Sequence, residues 1–397
     1  RARTLPKHGQ GVYALWGWFG GSEACAIASL STMKILFVLP RMVTGGVERV
    51  TLRLVDGLQA HGHECAFALR RAYGEFLPEA EALCPVFEVA AGGLHQFVPR
   101  LTQLIQSWQP SHIVTAFADV GVLTHLAIKK SGHTPYWVHG VHATHDAVTA
   151  TPGIKGRLRY VLDQYFAAWV YKRAAKVVAV SDGVRADILQ RFTVDASQVV
   201  TIYNPVLDES QLIPKSSTTG FATPPKIVAL GRLTRQKGFD ILIEAMRHVP
   251  QPWQLEIWGD GEDKSVLQNQ IEACGLQDHI RLCGHTSQPL DMLRQADVFV
   301  LSSRWEGLPT VLIEALCGQV IIVSTDCPHG PKEILANGYY GLLVDNENPQ
   351  ALAVGISQAL SQAQPSSPAE MLERAQEFSV NRAVFNWQKT LDSTHEK

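Results

Sequence analysis

The chain has 397 residues, of which 46% are hydrophobic and 18% charged, which is typical of a folded protein with room for two domains. The formal net charge is −2, so no overall basic field indicates a nucleic-acid partner, and no apolar run approaches the length of a membrane span. The seven cysteines are scattered without a Cys-x-x-Cys pair, which favours reduced core residues of a cytoplasmic protein and excludes a disulfide framework or a zinc site.

Residues 1–32 show no clear periodicity and precede MKILFVLP, which looks like the start of a domain. The apolar stretch within them is short and contains a serine, so a secretory signal is poorly supported. We expect an upstream extension that is poorly ordered, and whether it belongs to the functional chain stays open.

From residue 33 onward, short apolar runs alternate with helical patterns. Between the first two runs, Val47, Val50, Leu54 and Leu58 recur at helical spacing, and Gly62 follows where a C-terminal cap is wanted. Continuously apolar strands joined by helices predict a parallel sheet covered on both faces, here a first α/β domain over 33–205. The strands are predicted at 35–39, 63–68, 113–116, 136–138, 177–180 and 199–202.

Residues 206–225 are rich in Ser, Thr and Pro and read as a linker. The alternation then restarts and predicts a second α/β domain over 226–365, leaving a cleft between the two domains. Ligands of such sheets bind at the carboxyl ends of the strands. The predicted strands are 227–230, 255–258, 280–283, 298–301 and 320–324, with helices at 238–248, 263–274, ending near 295, and 310–316.

Three loops at predicted strand ends could carry chemistry. Gly45 and Gly46 precede the first helix and could present main-chain N–H groups to an anion, or could simply form a tight turn. Arg232 and Lys237 follow a strand of the second domain and suit a diphosphate, although a solvated basic turn is the commoner fate of such a pair. The Gly259-Asp260-Gly261 loop lacks further ligands at metal spacing, so we predict no metal.

The stretch WEGLPTVLIEALCG places two carboxylates around a predicted helix start. Pro309 suits the first turn of a helix, so the N–H groups of Thr310 and Val311 would point toward an anion. Glu314 lies in an apolar run where an unpaired charge is costly, although an exposed helix position is the alternative. Carboxylates that accept from paired hydroxyls, next to phosphate-compatible loops, together suggest a nucleotide-sugar.

The motifs LGRL…QKG, WGDG, SSRWEGLPTVLIEALCGQVIIVSTD and NGYYGLLVDNENPQALA resemble the retaining GT-B glycosyltransferases of family 4, with their Glu-x7-Glu signature. The resemblance runs in order over about 33–380. TDCPHGPKEIL is further similar to bacterial enzymes that transfer galactose, N-acetylgalactosamine or N-acetylglucosamine from UDP-sugars to surface glycans such as lipopolysaccharide or capsule. The resemblance implies the GT-B fold, a C-terminal helix over 366–397 that returns toward the first domain, and closure on the donor.

The resemblance also implies roles for the matching positions. Arg232 and Lys237 would bind the donor diphosphate, Glu306 would contact the transferred sugar, and Glu314 would contact the ribose. His139, at the end of a predicted strand, matches the cleft histidine beside the donor sugar, and a core histidine under the cleft is the alternative. The remaining donor-binding positions are Gly45 and Gly46 in the first domain, and His285, Gly307, Leu308, Thr310 and Val311 in the second.

No residue is an obvious carboxylate nucleophile, so the resemblance implies same-face attack in which the departing phosphate takes the acceptor proton. Neither metal nor cofactor is expected. On this basis Lys237→Ala or Arg232→Ala should lower donor turnover steeply in an intact fold. A nucleotide-sugar 2-epimerase and a non-catalytic nucleotide-sugar binding protein remain alternatives on the same plan.

The acceptor side is less readable. Residues 153–176 mix six basic residues with five aromatic ones. They read as a core helix of the first domain, or alternatively as an interfacial helix that engages anionic lipid on the inner face of the cell membrane. The acceptor implied by the resemblance is a glycan or a lipid-linked glycan.

Overall fold

The computed structural model describes residues 32–43, 45–142, 154–215, 220–361 and 366–392. It contains two parallel β-sheets, each with helices on its faces, which confirms the predicted class of two Rossmann-like α/β domains. The extension over 1–32 lies, except for Thr32, outside the described residues.

The first domain is a seven-stranded parallel sheet in the order β3-β2-β1-β4-β5-β6-β7. The strand order reverses between β1 and β4. The strands of this sheet are buried because helices cover both of its faces. Its strands are β1 Lys34–Leu39, β2 Glu64–Leu69, β3 Val86–Glu88, β4 His112–Thr115, β5 Tyr136–Val141, β6 Lys176–Ala179 and β7 Val199–Thr201. Its helices are α1 Gly46–Ala60, α2 Leu77–Leu83, α3 Phe97–Trp108, α4 Ala118–Ser131, α5 Ile154–Tyr171 and α6 Asp182–Arg191.

The second domain is a six-stranded parallel sheet in the order β10-β9-β8-β11-β12-β13. Its strands are β8 Lys226–Leu230, β9 Gln254–Trp258, β10 Ile280–Gly284, β11 Val298–Leu301, β12 Ile321–Thr325 and β13 Leu342–Val344. Its helices are α7 Phe239–Met246, α8 Lys264–Ala273, α9 Pro289–Arg294, α10 Thr310–Gly318, α11 Pro331–Ile334 and α12 Pro349–Leu360, and the chain continues into α13 Pro368–Gln376 and α14 Val380–Asp392.

The chain passes between the domains twice, and the two passages pair with each other. The main-chain N–H groups of Val206 and Leu207 donate to Phe378, and that of Val380 donates to Leu207. The connecting segment also contains a 3-10 turn, Glu209–Gln211, that the linker composition did not predict. After this crossing, α14 packs on α1 of the first domain, with Val384 against Gly57. None of the helices in the described part is both long and apolar enough to span a bilayer.

Two details of the predicted elements were wrong. The strand predicted at 136–138 continues to Val141, because residues 138–141 all pair with β6. The three-residue strands β3 and β13 were missed, since three residues carry too little alternation to be distinguished from a loop.

Candidate active site

The pairing of β8 with β11 builds the site. These two parallel strands are neighbours at the centre of the second sheet, so their carboxyl ends meet at one edge. The loop over 231–238 after β8 therefore lies beside the loop over 302–309 after β11. This is also where the strand order reverses, the position at which open α/β sheets bind ligands.

Lys237 and Glu306 form an ion pair across these two loops. The Lys237 Nζ lies 2.6 Å from Glu306 Oε1, and the Ser303 hydroxyl donates to the same oxygen at 2.6 Å. The Glu306 side chain is only 7% exposed and that of Lys237 18%. A buried carboxylate needs such partners to remain charged. The structure thus brings together two residues that the sequence predicted for different parts of one ligand.

The loops approach so closely that glycine is required at two positions. A Cβ on Gly238, which has a φ of +63°, would lie 2.1 Å from the Ser302 carbonyl oxygen. A Cβ on Gly259, which has a φ of +140°, would lie 1.8 Å from the Gly231 carbonyl oxygen. The left-handed backbone and the lack of space both exclude a side chain. The loops after β8, β9 and β11 are consequently held in fixed positions.

Arg304 anchors the second loop, and sequence reasoning missed it. Its guanidinium makes two hydrogen bonds to the Asp240 carboxylate, at 2.8 and 2.6 Å, and one to Glu347 at 2.8 Å. It also donates to the main-chain oxygen of Arg235 at 2.7 Å. Fork-shaped pairing of this kind fixes geometry as well as charge. A single arginine two residues before Glu306 was the only signal in the sequence.

The N-terminus of α10 faces the same edge. Pro309 is the N-cap residue rather than part of the first turn, and no side chain caps the helix. Thr310 is exposed, whereas Leu308 and Val311 are buried. The first four N–H groups of a helix lack intrahelical partners. Because no side chain caps α10, its N-terminus is suited to bind a phosphate.

Glu314 lies one turn further along α10 and is half-buried. Burial raises the pKa of its carboxyl group to about 7, and the nearby Arg53 guanidinium acts in the opposite direction. Arg53 belongs to α1 and donates to the main-chain oxygens of Pro205 and Val206. Helix α1 of the first domain therefore faces α10 of the second at the crossing between the domains.

The raised pKa of Glu314 leads us to expect that UDP-glucose affinity depends on pH. If the ionised carboxylate accepts hydrogen bonds from a ribose, affinity for UDP-glucose should be weak near pH 6, rise by up to about tenfold per unit below the pKa, and level off above pH 8. Calorimetric titrations across this range would measure it, and UDP-glucose has no phosphate that titrates there. Glu314→Gln should bind weakly at every pH. A wild-type profile that is flat from pH 6 to 8 would contradict the prediction.

Arg232 and His285 are placed at the same edge but outside the buried ion pair. Arg232 is exposed directly after β8, and among the described residues no ion pair involves it. His285 is exposed directly after β10. Both side chains are therefore accessible to a ligand, and their predicted roles stay predictions.

The first-domain glycine loop holds a carboxylate of its own, which the sequence analysis overlooked. A Cβ on Gly45 would lie 2.4 Å from Glu48 Oε2, whereas the space over Gly46 is open. Glu48 is buried, and burial raises its pKa, while its own main-chain N–H and Arg41 act in the opposite direction. Of the two glycines, only Gly46 thus has open space through which a ligand could approach the main chain. The signal in the sequence that could have identified Glu48 was a glutamate two residues after Gly46.

His139 lies inside β5 rather than at its end, and its side chain is 2% exposed. Its Nδ1 is 2.8 Å from the Thr115 hydroxyl, and its ring lies against Tyr171 of α5. The geometry is that of a histidine beneath the cleft surface, so its catalytic role stays a prediction. His142, at the strand end itself, is neutral near pH 7 because burial lowers its pKa to about 4. His145 lies outside the described residues.

Two further features of the described residues lie outside the candidate site or concern metal binding. A cavity of about 870 Å³ lies at the amino ends of the first-domain strands, next to Ser111, His112 and Tyr136, which is the opposite edge from the candidate site. Within the described part of the chain, no three His, Cys, Asp or Glu residues converge at metal-binding distances.

Comparison with known families agrees with this arrangement. Residues 44–209 match the family described as Glycosyltransferase Family 4, and residues 215–378 match Glycosyl transferases group 1. Each of the two domains thus matches a glycosyltransferase family model, and the chain has the GT-B fold. The two matches meet near the crossing between the sheets, so each covers one Rossmann-like domain.

Similar proteins are found among bacteria and archaea. An uncharacterized glycosyltransferase of Methanocaldococcus jannaschii is 32% identical over 200 residues, covering 42% of this chain and 49% of that protein. The N-acetylgalactosamine-N,N'-diacetylbacillosaminyl-diphospho-undecaprenol 4-alpha-N-acetylgalactosaminyltransferase of Campylobacter jejuni is 26% identical over 214 residues, covering 53% and 58%. The matched segments thus span about half the length of these relatives.

Among solved structures, HepE from Anabaena in complex with UDP superposes with a TM-score of 0.76 at 19% identity. The match covers 91% of this chain and 100% of HepE. At this identity the similarity concerns the fold, and it confirms GT-B.

Proposed function

We propose that the protein is a retaining, metal-independent glycosyltransferase that moves a hexose or N-acetylhexosamine from a UDP-sugar to a glycan or lipid-linked glycan acceptor in bacterial surface polysaccharide synthesis. The observation that carries the proposal is the ion pair of Lys237 with Glu306 beside the uncapped N-terminus of α10. The UDP held by HepE and the diphospho-undecaprenol acceptor in the name of the Campylobacter jejuni relative support the two substrate classes.

Different residues of the site bind different parts of the UDP-sugar donor. The diphosphate lies at the α10 N-terminus, where the N–H groups of Thr310 and Val311, the Lys237 ammonium and the exposed Arg232 neutralise it. Glu306 accepts hydrogen bonds from sugar hydroxyls, and Glu314 accepts them from the ribose. Gly46 and His285 approach the sugar and the base from the other strand ends, and His139 lies beneath the cleft surface on the sugar side.

Catalysis then consists of stabilising the leaving UDP. As the bond from the anomeric carbon to the phosphate oxygen breaks, negative charge grows on that oxygen, and the groups around it are already oriented. The acceptor hydroxyl attacks from the same face and gives its proton to the departing phosphate. No side chain has to act as a nucleophile, and configuration is retained.

The test is UDP release from UDP-galactose, UDP-N-acetylgalactosamine, UDP-glucose and UDP-N-acetylglucosamine, with GDP-mannose for comparison. Slow release from one UDP-sugar that is lost in Glu306→Ala supports the proposal and identifies the donor. Appearance of a 2-epimer would instead indicate an epimerase. Tight UDP binding with no turnover in the presence of lipid-linked glycans would indicate a binding protein.

We further propose that α5 contacts the membrane that carries a lipid-linked acceptor. One face of this helix is core, with Val170 and Tyr171 buried, as the core-helix alternative predicted. The opposite face leaves Val161 60%, Leu162 45% and Tyr165 66% exposed. Lys172 and Arg173 follow at its end and are exposed. Apolar side chains flanked by basic ones are suited to an anionic bilayer surface.

The membrane contact is tested by flotation with vesicles containing phosphatidylglycerol. Val161→Glu should lower the floated fraction severalfold, because a carboxylate must then enter the lipid surface. Val354→Glu is the matched control, since Val354 is a 68% exposed valine on α12 of the second domain. Equal flotation of both variants and the wild type would contradict the contact.

A further inference from the structure

Helix α6 of the first domain begins against the second domain. Its N-cap residue, Ser181, accepts a hydrogen bond from the N–H of Val184 at 3.1 Å, which satisfies one of the free groups at the helix start. The preceding two N–H groups, of Asp182 and Gly183, donate to Glu333 at 2.7 and 3.2 Å. A carboxylate of one domain thus caps a helix of the other.

Tyr203 of the first domain also interacts with Glu333. The pKa of Tyr203 is raised, first by burial and then by its interaction with the Glu333 carboxylate. The Asp182 carboxylate accepts from the Thr201 hydroxyl at 2.6 Å. These partners of Glu333 all come from the first domain, and we call these four residues, Glu333 with Asp182, Gly183 and Tyr203, the interdomain latch.

The interdomain latch is connected to the candidate donor loop, residues 306–309, through the segment before α11. The N–H of Glu306 donates to the Pro328 carbonyl oxygen at 3.3 Å. A Cβ on Gly330 would lie 2.4 Å from Pro309 Cδ and 3.1 Å from the Gly307 carbonyl oxygen, so this glycine packs directly on the loop. The Ser181 hydroxyl also reaches the Gly307 carbonyl oxygen, at 3.4 Å.

Arg374 fixes Glu333 from the other side. Its guanidinium donates to the main-chain oxygens of Glu333 and Ile334, at 2.8 and 3.1 Å, and its plane lies over Phe378. The backbone that carries Glu333 is thus held to the segment where the chain crosses between domains. Because the backbone at Glu333 is held in this way, its carboxylate can fix the position of one domain relative to the other.

We propose that Glu333 is a positioning residue that holds the two domains in register and so places the donor loop, 306–309, opposite the acceptor-side domain. Its carboxylate accepts from two N–H groups of the first domain. Because donor and acceptor lie on different domains, the alignment of the reacting atoms depends on this contact, whereas most of the groups proposed to bind the nucleotide lie on the second domain. The kinetic part of this inference rests on the proposed function, and the structural part does not.

The first test measures hydrogen–deuterium exchange at the amides of Asp182 and Gly183. Glu333→Gln removes the charge and replaces one of the two acceptor oxygens with an NH2 group, which cannot accept a hydrogen bond. We therefore expect the main-chain amides of Asp182 and Gly183 to exchange about tenfold faster or more. Glu373→Gln is the matched control, because Glu373 is exposed on α13 and should leave the rates unchanged. Tyr203→Phe removes only the hydroxyl that interacts with Glu333, and we expect a smaller acceleration. Unchanged exchange in both Glu333→Gln and Tyr203→Phe would overturn the latch.

The second test separates turnover from binding. In Glu333→Gln, kcat for transfer should fall about tenfold while the Kd for UDP changes less than about threefold. A parallel loss of UDP affinity would overturn the positioning role, because it would mean that Glu333 merely supports the donor loop. If the wild type neither binds UDP nor transfers sugar, the proposed function fails, and the exchange rates still decide the latch.

Discussion

Replacing Lys237 with methionine should lower turnover of the UDP-sugar about 100- to 1,000-fold and weaken UDP binding. Methionine keeps the unbranched shape and most of the length of lysine but lacks the charge that meets the diphosphate, and a preoriented donor to a developing oxyanion is worth about 3–4 kcal/mol. Steady-state UDP release and calorimetry with UDP would measure the two effects. Turnover within a few-fold of the wild type would contradict the assignment.

The ion pair changes what this substitution does to stability. The sequence alone predicted an intact fold, but Lys237 is the cation that pairs with Glu306, whose side chain is 7% exposed. Breaking a buried pair leaves a charge without its partner and costs up to about 3–5 kcal/mol. We therefore expect a lowered Tm in Lys237→Met. The double variant with Glu306→Gln should recover stability and remain inactive.

Replacing Glu306 with glutamine should separate sugar recognition from nucleotide binding. The substitution removes the carboxylate that accepts from the sugar hydroxyls, so kcat/KM should fall about 10- to 100-fold. It also frees the Lys237 ammonium, 2.6 Å away, for the diphosphate, so UDP affinity should stay equal or increase. UDP affinity should thus fall in Lys237→Met and should not fall in Glu306→Gln.

The control for this prediction is Ser303→Ala, which removes the other group that bonds Glu306 Oε1, at 2.6 Å, while keeping the carboxylate. Its effect on turnover should be much smaller than that of Glu306→Gln. If Glu306→Gln weakened UDP binding as strongly as Lys237→Met, then Glu306 would serve only to hold the lysine, and its role on the sugar would be wrong.

Most of the fold could be predicted from the sequence because the longer elements each carry their own signal. Apolar runs bounded by helical periodicity indicate buried parallel strands, and the two sheets confirm that interpretation. The order of the strands within each sheet has no such local signal. That order places β8 beside β11, and it is therefore why residues 237 and 306, far apart in the chain, form an ion pair.

The site residues were predictable as types and positions but not as partners. Glu306, Lys237 and the start of α10 were identified from motifs, yet the sequence could not show that Lys237 pairs with Glu306 in the free protein. Glu48 was overlooked because a glutamate in a first helical turn is common and its burial depends on tertiary packing. Glu333 was overlooked because its donors lie about 150 residues away, in the other domain.

The proposed function requires that the second domain binds the nucleotide of a UDP-sugar at the start of α10. Titration calorimetry of the wild type with UDP, and with GDP for comparison, tests this requirement without knowledge of the sugar or the acceptor. We expect one UDP bound per chain, more tightly than GDP, with the affinity weakened in Lys237→Met. Absence of UDP binding, or equal binding by the wild type and Lys237→Met, would contradict the proposed nucleotide site.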